Sequence, residues 1–140
     1  MTQRLSIYTD GASRNNPGEA SIGVVIKDDA GITVGTISRY IGIATNNVAE
    51  YTALIEALKA AQKLNPEQVD LYLDSQLVVR QMKGEYKVKS AGLFPLVREA
   101  QALVHQFPKG KVIFHHIPRE ENKEADALAN EAIDKRNKKG

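Results

Sequence analysis

Hydrophobic and polar residues follow two different periods along the chain, and the changes between them mark the predicted elements. Residues 7–11 begin with a β-branched, half-apolar run that is typical of a strand. Residues 20–27 and 32–42 have the same β-branched, partly alternating character, and a short Asp-Asp-Ala-Gly segment at 28–31 joins them. The chain is therefore predicted to open with three strands in an antiparallel meander.

A helical period follows the third predicted strand. Thr45 is a suitable N-cap, and the helix is expected to end before Asn65 and Pro66. The apolar residues that recur at helical spacing are Tyr51, Leu54, Ile55, Leu58 and Ala61. Glu50 precedes Leu54 by four residues, so it is expected at the edge of this apolar stripe, facing the sheet rather than solvent.

The second half of the chain alternates between strands and helices. Strands are predicted at 69–73 and 111–117, and helices at 75–82, 93–107 and 122–135. Because a helix precedes the fourth strand, this strand is expected to return parallel to the first by a right-handed crossover. The predicted fold is α/β, a mixed five-stranded sheet flanked by helices, with three antiparallel strands and then two parallel additions.

Composition narrows the class of protein. A chain of 140 residues with 42% hydrophobic residues suits a single domain, residues 1–140. No apolar run approaches the roughly 20 residues of a membrane helix, so no membrane contact is expected. Because cysteine is absent, thiolate zinc sites and cysteine nucleophiles are excluded. Residues 1–5 lack the apolar core of a secretory signal, and a cytoplasmic monomer is expected.

Charge alone does not identify a partner. The net charge of +2 neither favours nor excludes a nucleic acid. Lys83, Lys87 and Lys89 form a small basic cluster; such a cluster is usually a solvated face, and the alternative is weak attraction to phosphates.

Four acidic residues stand at the ends of predicted elements. Asp10 follows the apolar part of the first strand, Asp74 follows the fourth strand, and Glu50 and Asp126 lie near the starts of two helices. Asp10 with Gly11 is also an ordinary turn pair, so one acid alone proves little. If the first and fourth strands are parallel neighbours, however, Asp10 and Asp74 emerge at the same end of the sheet.

Carboxylates gathered at one end of a sheet repel one another unless some are protonated or a cation joins them. A ligand set made only of oxygen atoms favours Mg²⁺ or Mn²⁺. Two such ions can activate a water and stabilise the leaving oxygen of a phosphodiester, so no dedicated side-chain base is needed. The acids therefore indicate metal-dependent phosphate chemistry.

Four segments carry a resemblance to a known family. They are residues 8–12 with 16–18, residues 45–50, residues 74–76 and residues 122–129. In this order and at these spacings they make the chain resemble type 1 ribonuclease H over nearly its whole length. The resemblance implies hydrolysis of the RNA strand of RNA-DNA hybrids without sequence specificity. It also implies two Mg²⁺ or Mn²⁺ ions per site in the substrate complex, with Asp10, Glu50, Asp74 and Asp126 as the catalytic, metal-binding residues.

The same resemblance implies a set of substrate contacts. Minor-groove or 2′-hydroxyl contacts are expected from Gly11, Asn16, Asn46, Asn47 and Gln76, and a contact to a DNA-strand phosphate is expected from Thr45. Short amides suit this role because the wide minor groove of a hybrid exposes 2′-hydroxyls and base edges. On the residues alone, Thr45 and Asn46 are explained as a helix cap and Asn16 as part of a turn.

Two segments depart from the family pattern. Many relatives carry a histidine in the loop before the last aspartate, whereas residues 117–121 here contain none. Arg119 is the candidate for its role in product release or phosphate contact; otherwise this step is slower. His115 and His116 point to opposite faces of a strand and are expected to be structural. Residues 83–89 replace an extra basic helix of some relatives, which weakens the expectation of tight hybrid binding.

The residues are also compatible with other functions. One is a hybrid-binding module that keeps the fold and has lost cleavage, although a cluster of acids would only weaken a pure binder's attraction to phosphate. Another is a junction resolvase or integrase on the same kind of fold, which would not be expected to combine the Thr-Asn-Asn and Asp-Ser-Gln segments. A reverse-transcriptase fragment is a further alternative.

Overall fold

The computed structural model describes residues 3–138, and a five-stranded sheet in the order β3-β2-β1-β4-β5 lies at its centre. The strands are β1 (Arg4–Ser13), β2 (Gly18–Lys27), β3 (Thr33–Ala44), β4 (Gln68–Leu73) and β5 (Val112–His116). The helices are α1 (Asn46–Leu64), α2 (Gln76–Met82), α3 (Phe94–His105) and α4 (Lys123–Lys138), with a 3₁₀ turn at Arg119–Glu121.

Strand β1 is the central strand and joins the two halves of the sheet. It pairs antiparallel with β2, which pairs antiparallel with β3, while β4 runs parallel to β1 and β5 runs parallel to β4. The predicted fold, three antiparallel strands followed by two parallel ones, is therefore confirmed.

Helices cover both faces of the sheet. The main apolar core contains side chains of α1, α2 and α3, among them Tyr51, Val78 and Val97, packed on the sheet. Helix α4 packs on β1, β2 and β3, and its buried Ala125, Ala129, Ala132 and Ile133 do not belong to that core. This division places α4 on the opposite face from α1.

Local signals set the ends of α1. The Thr45 side chain accepts a hydrogen bond from the main-chain N–H of Val48 at 3.2 Å, as expected of an N-cap. Asn65 adopts a left-handed conformation with φ of 51° and ends the helix. Both ends agree with the bounds predicted from the sequence. Within residues 3–138, no helix has the length and apolar character needed to cross a membrane.

The first strand is longer than predicted, which changes the setting of Asp10. Strand β1 continues to Ser13 because residues 11–13 go on pairing with β2. Asp10 therefore lies within a strand and not after it. Pairing with β4 stops earlier, at Thr9 with Leu73. Asp10 and Asp74 are thus each the next residue after the last pair between β1 and β4.

The two consecutive histidines have different environments. Nε2 of His115 lies 2.8 Å from Oδ1 of the buried Asp70, and its ring stacks on Tyr72 with centroids 4.7 Å apart. His116 is exposed at the end of β5. Arg4 completes the group around Asp70, at 3.1 Å from Oδ2. His115 thus packs and bonds within the group around Asp70, which agrees with the structural role expected of it.

Candidate active site

The alternation of side chains in β1 directs neighbouring residues toward different helices. Asp10 is paired with Gly23 of β2, so the two residues share one face of the sheet. At Gly23 that face meets α4, since an added Cβ would lie 2.0 Å from the Ala125 carbonyl oxygen. Asp10 therefore lies on the α4 face, and Asp126 lies in the first turn of that helix.

The next residue, Gly11, faces α1 instead. A Cβ added to Gly11 would lie 2.3 Å from main-chain atoms of Ala49 and Glu50, so only glycine permits this approach. The Gly11 N–H donates to Oε1 of Glu50 at 2.8 Å. Close contact between β1 and α1 thus brings the buried Glu50 carboxylate to the same end of the sheet as Asp10.

Three of the predicted acids form a tight cluster. Carboxylate oxygens of Asp10, Glu50 and Asp74 lie within 4.8 Å of one another. Asp10 and Glu50 are 6% and 8% exposed, which removes most of the water that would screen their charges. Asp126 is less buried, and its side chain contacts Asp10 through a hydrogen bond. The structure therefore places the other three acids around Asp10.

The cluster resists ionisation. Burial, followed by the charges of Glu50 and Asp74, raises the pKa of Asp10 to about 9. Burial and the charge of Asp74 raise the pKa of Glu50 to about 8, against the opposing effects of the Gly11 N–H and of Arg119. Without a cation, Asp10 and Glu50 therefore retain protons at neutral pH.

This donor set fits a hard divalent cation. All the ligand atoms are carboxylate oxygens, and a cation that replaces the retained protons balances the negative charges of the ionised acids. Among the described residues, this is the group whose spacing suits a metal ion. The residues that would hold the ion are Asp10, Glu50 and Asp74, with Asp126 beside them.

Two asparagines that the sequence interpretation did not select support the acids. Asn122 donates through Nδ2 to Oδ2 of Asp74 at 2.9 Å. Asn130 donates to Oδ1 of Asp126 at 3.2 Å, and Arg14 in turn donates to Asn130 at 3.2 Å. The spacing of Asn130, four residues after Asp126 on one helix face, is a signal that could have identified it. Asn122 is the first residue of the resembling segment 122–129, but its contact with Asp74 depends on the tertiary fold.

The acids open onto a cleft with a volume of about 400 Å³. Three of the predicted substrate-contact residues, Gly11, Asn46 and Asn47, line it. Asn16 and Thr45 lie at the start of α1, where Oδ1 of Asn16 accepts from the Asn46 N–H at 2.9 Å. The capping role expected of Thr45 is therefore present, and Asn16 adds a second contact to the same helix end.

Gln76 and Arg119 stand on other segments around the acids. Gln76 is exposed at the first position of α2, after the N-cap Ser75. Arg119 begins the 3₁₀ turn before α4 and lines the cleft together with the four acids. Its positive charge is close enough to lower the pKa of Glu50 relative to the value that burial alone would give.

Comparison with known proteins gives matches over most of the chain. A family model described as reverse transcriptase-like matches residues 8–132. The chain is 44% identical over 132 residues to ribonuclease HI of Halobacterium salinarum, covering 94% of this chain and 65% of that protein. The structure of LC11-RNase H1 in complex with an RNA/DNA hybrid superposes with a TM-score of 0.88 at 47% identity, covering 94% of this chain and 97% of that one.

The chain belongs to the ribonuclease H family. Its sheet order and helices are those of ribonuclease H structures, and its carboxylate cluster suits the metal dependence of the family. Some family members that it matches are much longer proteins. The chain is 43% identical to the bifunctional protein Rv2228c of Mycobacterium tuberculosis, covering 94% of this chain but 36% of that protein.

Proposed function

We propose that this chain is an endonuclease that hydrolyses the RNA strand of RNA-DNA hybrids without sequence specificity. The observation that carries the proposal is the approach of three carboxylates within 4.8 Å, two of them buried and that of Asp74 half-buried, in a cleft that Gly11, Asn46 and Asn47 also line. The hybrid complex of LC11-RNase H1, at 47% identity, supports the same class of substrate.

The cofactor we infer is Mg²⁺, with Mn²⁺ as a possible substitute and two ions per site in the substrate complex. Asp10, Glu50, Asp74 and Asp126 would hold these ions, because their oxygen atoms are the ligands that such cations prefer. When bound, the ions supply an activated water on one side of the phosphodiester and stabilisation of the leaving oxygen on the other. The chain itself provides the acids and the cleft around them.

The substrate contacts are assigned on exposure and position. Asn46 and Asn47 present exposed amides on the first turn of α1, beside the acids. Since the cap contacts use Oδ1 of Asn16 and the oxygen of Thr45 as acceptors, the Asn16 amide and the Thr45 hydroxyl keep donors for the substrate. With Gly11 and Gln76, these residues would contact 2′-hydroxyls, base edges and one DNA-strand phosphate.

Arg119 is assigned a phosphate contact that assists product release. The residue is exposed, lines the cleft and stands on the turn that leads into α4, where many relatives carry a histidine. A guanidinium suits this task because it binds phosphate oxygens through paired hydrogen bonds.

We also infer that residues 1–140 act as one domain and as a monomer in the cytoplasm. These remain predictions from the sequence.

Cleavage of an end-labelled RNA-DNA hybrid tests the proposed function. The reaction is run with Mg²⁺, with Mn²⁺ and with chelator, beside duplex DNA and duplex RNA of the same sequence. Metal-dependent cutting confined to the RNA strand of the hybrid is expected. If no metal supports cutting and the hybrid is still bound, the chain is a binding module of the same fold and the proposal is wrong.

A further inference from the structure

Asn122 is a buried polar residue at the junction of the elements that carry the acids. The residue is 1% exposed and stands directly before α4. Its Nδ2 donates to the main-chain carbonyl of Thr9 at 2.8 Å and to Oδ2 of Asp74 at 2.9 Å. Both hydrogens of the amide are therefore used at the site.

The main chain of Asn122 also forms hydrogen bonds at this junction. Its N–H donates to the Arg119 carbonyl at 2.9 Å, and its carbonyl accepts from the Asp126 N–H at 3.1 Å. Thr9 is the residue before Asp10. Asn122 thus touches one acid directly, the neighbour of a second acid, and the main chain of a third.

We propose that Asn122 is the positioning residue of Asp74. A donor fixed on one oxygen of a carboxylate limits its rotation, so the remaining lone pairs keep one direction. The amide achieves this without charge, whereas a lysine or arginine at this depth would compete with a cation for the same acids. The proposal rests on the proposed function only in treating Asp74 as a metal ligand.

A purely structural role at the start of α4 is the competing explanation. Ser21 offers a matched control for it, because its hydroxyl is also buried and donates to α4, at the Ala129 carbonyl. Ser21 does not line the acid cleft. Ser21→Ala therefore removes a buried hydrogen bond to α4 and leaves the contacts of the acids in place.

The experiment combines direct metal binding with kinetics. Binding of Mn²⁺ to the metal-free full chain is measured by calorimetry, and kcat and KM are measured on the hybrid, for wild type, Asn122→Ala, Asn122→Leu and Ser21→Ala. Loss of a positioning contact typically lowers metal affinity or activity by about 10- to 100-fold, which is the loss expected for both Asn122 variants. Their KM for the hybrid is expected to change by less than about threefold, because the groove contacts are intact.

The control separates the two explanations. Ser21→Ala is expected to melt at a lower temperature than wild type with unchanged Mn²⁺ affinity and kcat. Asn122 variants that behave like Ser21→Ala would overturn the proposal. Asn122→Leu fills the volume that Asn122→Ala leaves empty; if both fail to fold, the residue is structural and the proposal is wrong. A wild type that binds Mn²⁺ but cleaves nothing contradicts the proposed function, while the calorimetric comparison still decides the role of Asn122.

Discussion

Asp10 carries a proton in the metal-free protein at neutral pH, since burial and the charges of Glu50 and Asp74 raise its pKa to about 9. Glu50, with a pKa raised to about 8, is also largely protonated there. A divalent cation must displace these protons when it binds. Metal affinity is therefore expected to increase as the pH rises from neutrality toward 9.

Replacing Asp10 by asparagine tests its catalytic assignment. Asp10→Asn keeps the size of the side chain and, near neutral pH, substitutes one uncharged group for another, so the metal-free fold should be preserved. Cleavage of the hybrid should fall by roughly a thousandfold or more, because the carboxylate that would join the ions is lost. Gel analysis of labelled RNA and circular dichroism measure the two effects. Full activity in this variant would contradict the assignment of the four acids.

The proposed role of Arg119 is tested by kinetics that separate the cleavage step from product release. Arg119→Ala should lower the steady-state kcat by roughly 10-fold, with a smaller effect in Arg119→Lys, because a phosphate contact outside the metal ligands is lost. The single-turnover rate should change much less if the residue assists product release. Rapid-quench measurements at saturating enzyme compare the two rates. Equal losses in both would place Arg119 in the chemical step.

At the scale of elements, two glycines determine how closely the helices approach the sheet. Because Gly11 has no side chain, α1 packs closely on one face of the sheet. Gly23 allows α4 to pack equally closely on the other face. Each contact lies next to an acid, since Gly11 follows Asp10 and Gly23 is paired with Asp10. The spacing between helices and sheet is thus part of the geometry of the acid cluster.

Gly23→Ala should disturb both stability and activity. Its Cβ would lie 2.0 Å from the Ala125 carbonyl oxygen, so α4 must shift, at an expected cost of about 2 kcal/mol or more in the free energy of unfolding. Cleavage should also decrease because Asp126 moves with α4. Gly35→Ala is the matched control, as its Cβ would be 3.5 Å from Cδ1 of Ile26, an ordinary contact. Urea unfolding and hybrid cleavage of both variants measure the difference; equal effects would argue against the close approach.

The elements themselves were largely predictable because their signals are local. The Thr45 cap, the apolar stripe and Asn65 define α1 correctly, and alternation identifies the strands. The extension of β1 to Ser13 was missed because it depends on pairing with β2, and Asn122 was missed because its partners are far away in the sequence. An isolated glycine in a strand, such as Gly23, does indicate a close approach, but the sequence does not name the approaching helix.

At the scale of the whole molecule, the stability of the folded state depends on pH through buried acids that act in opposite directions. Asp10 and Glu50 act in one direction, and Asp70 acts in the other. The raised pKa values of Asp10 and Glu50 mean that the folded state binds more protons than the unfolded chain between about pH 4 and 9. Stability therefore falls as the pH rises through this range. For Asp70, burial opposes ionisation, but hydrogen bonds from His115, Arg4 and Gln68 outweigh it and lower the pKa. Its contribution is present above about pH 4 and is lost in acid.

The metal-free protein is accordingly expected to melt at progressively lower temperature from about pH 5 to pH 9. Mg²⁺ should reduce this slope, because it binds the ionised cluster and stabilises the folded state by mass action. Asp10→Asn should also reduce it, since one of the two retained protons is absent. Thermal melts in chelator and in excess Mg²⁺ across this range measure both effects. A wild-type melting temperature that increases toward pH 9 in chelator would contradict the raised pKa values.

The central position of β1 has a consequence for heat inactivation. Its residues 6–9 have a paired strand on each side, so their amide hydrogens should exchange with deuterium only when the sheet as a whole opens. Asp10 directly follows this doubly paired segment, so it is not expected to move away from Asp74 before the sheet opens. Loss of activity on heating should therefore coincide with cooperative unfolding rather than precede it.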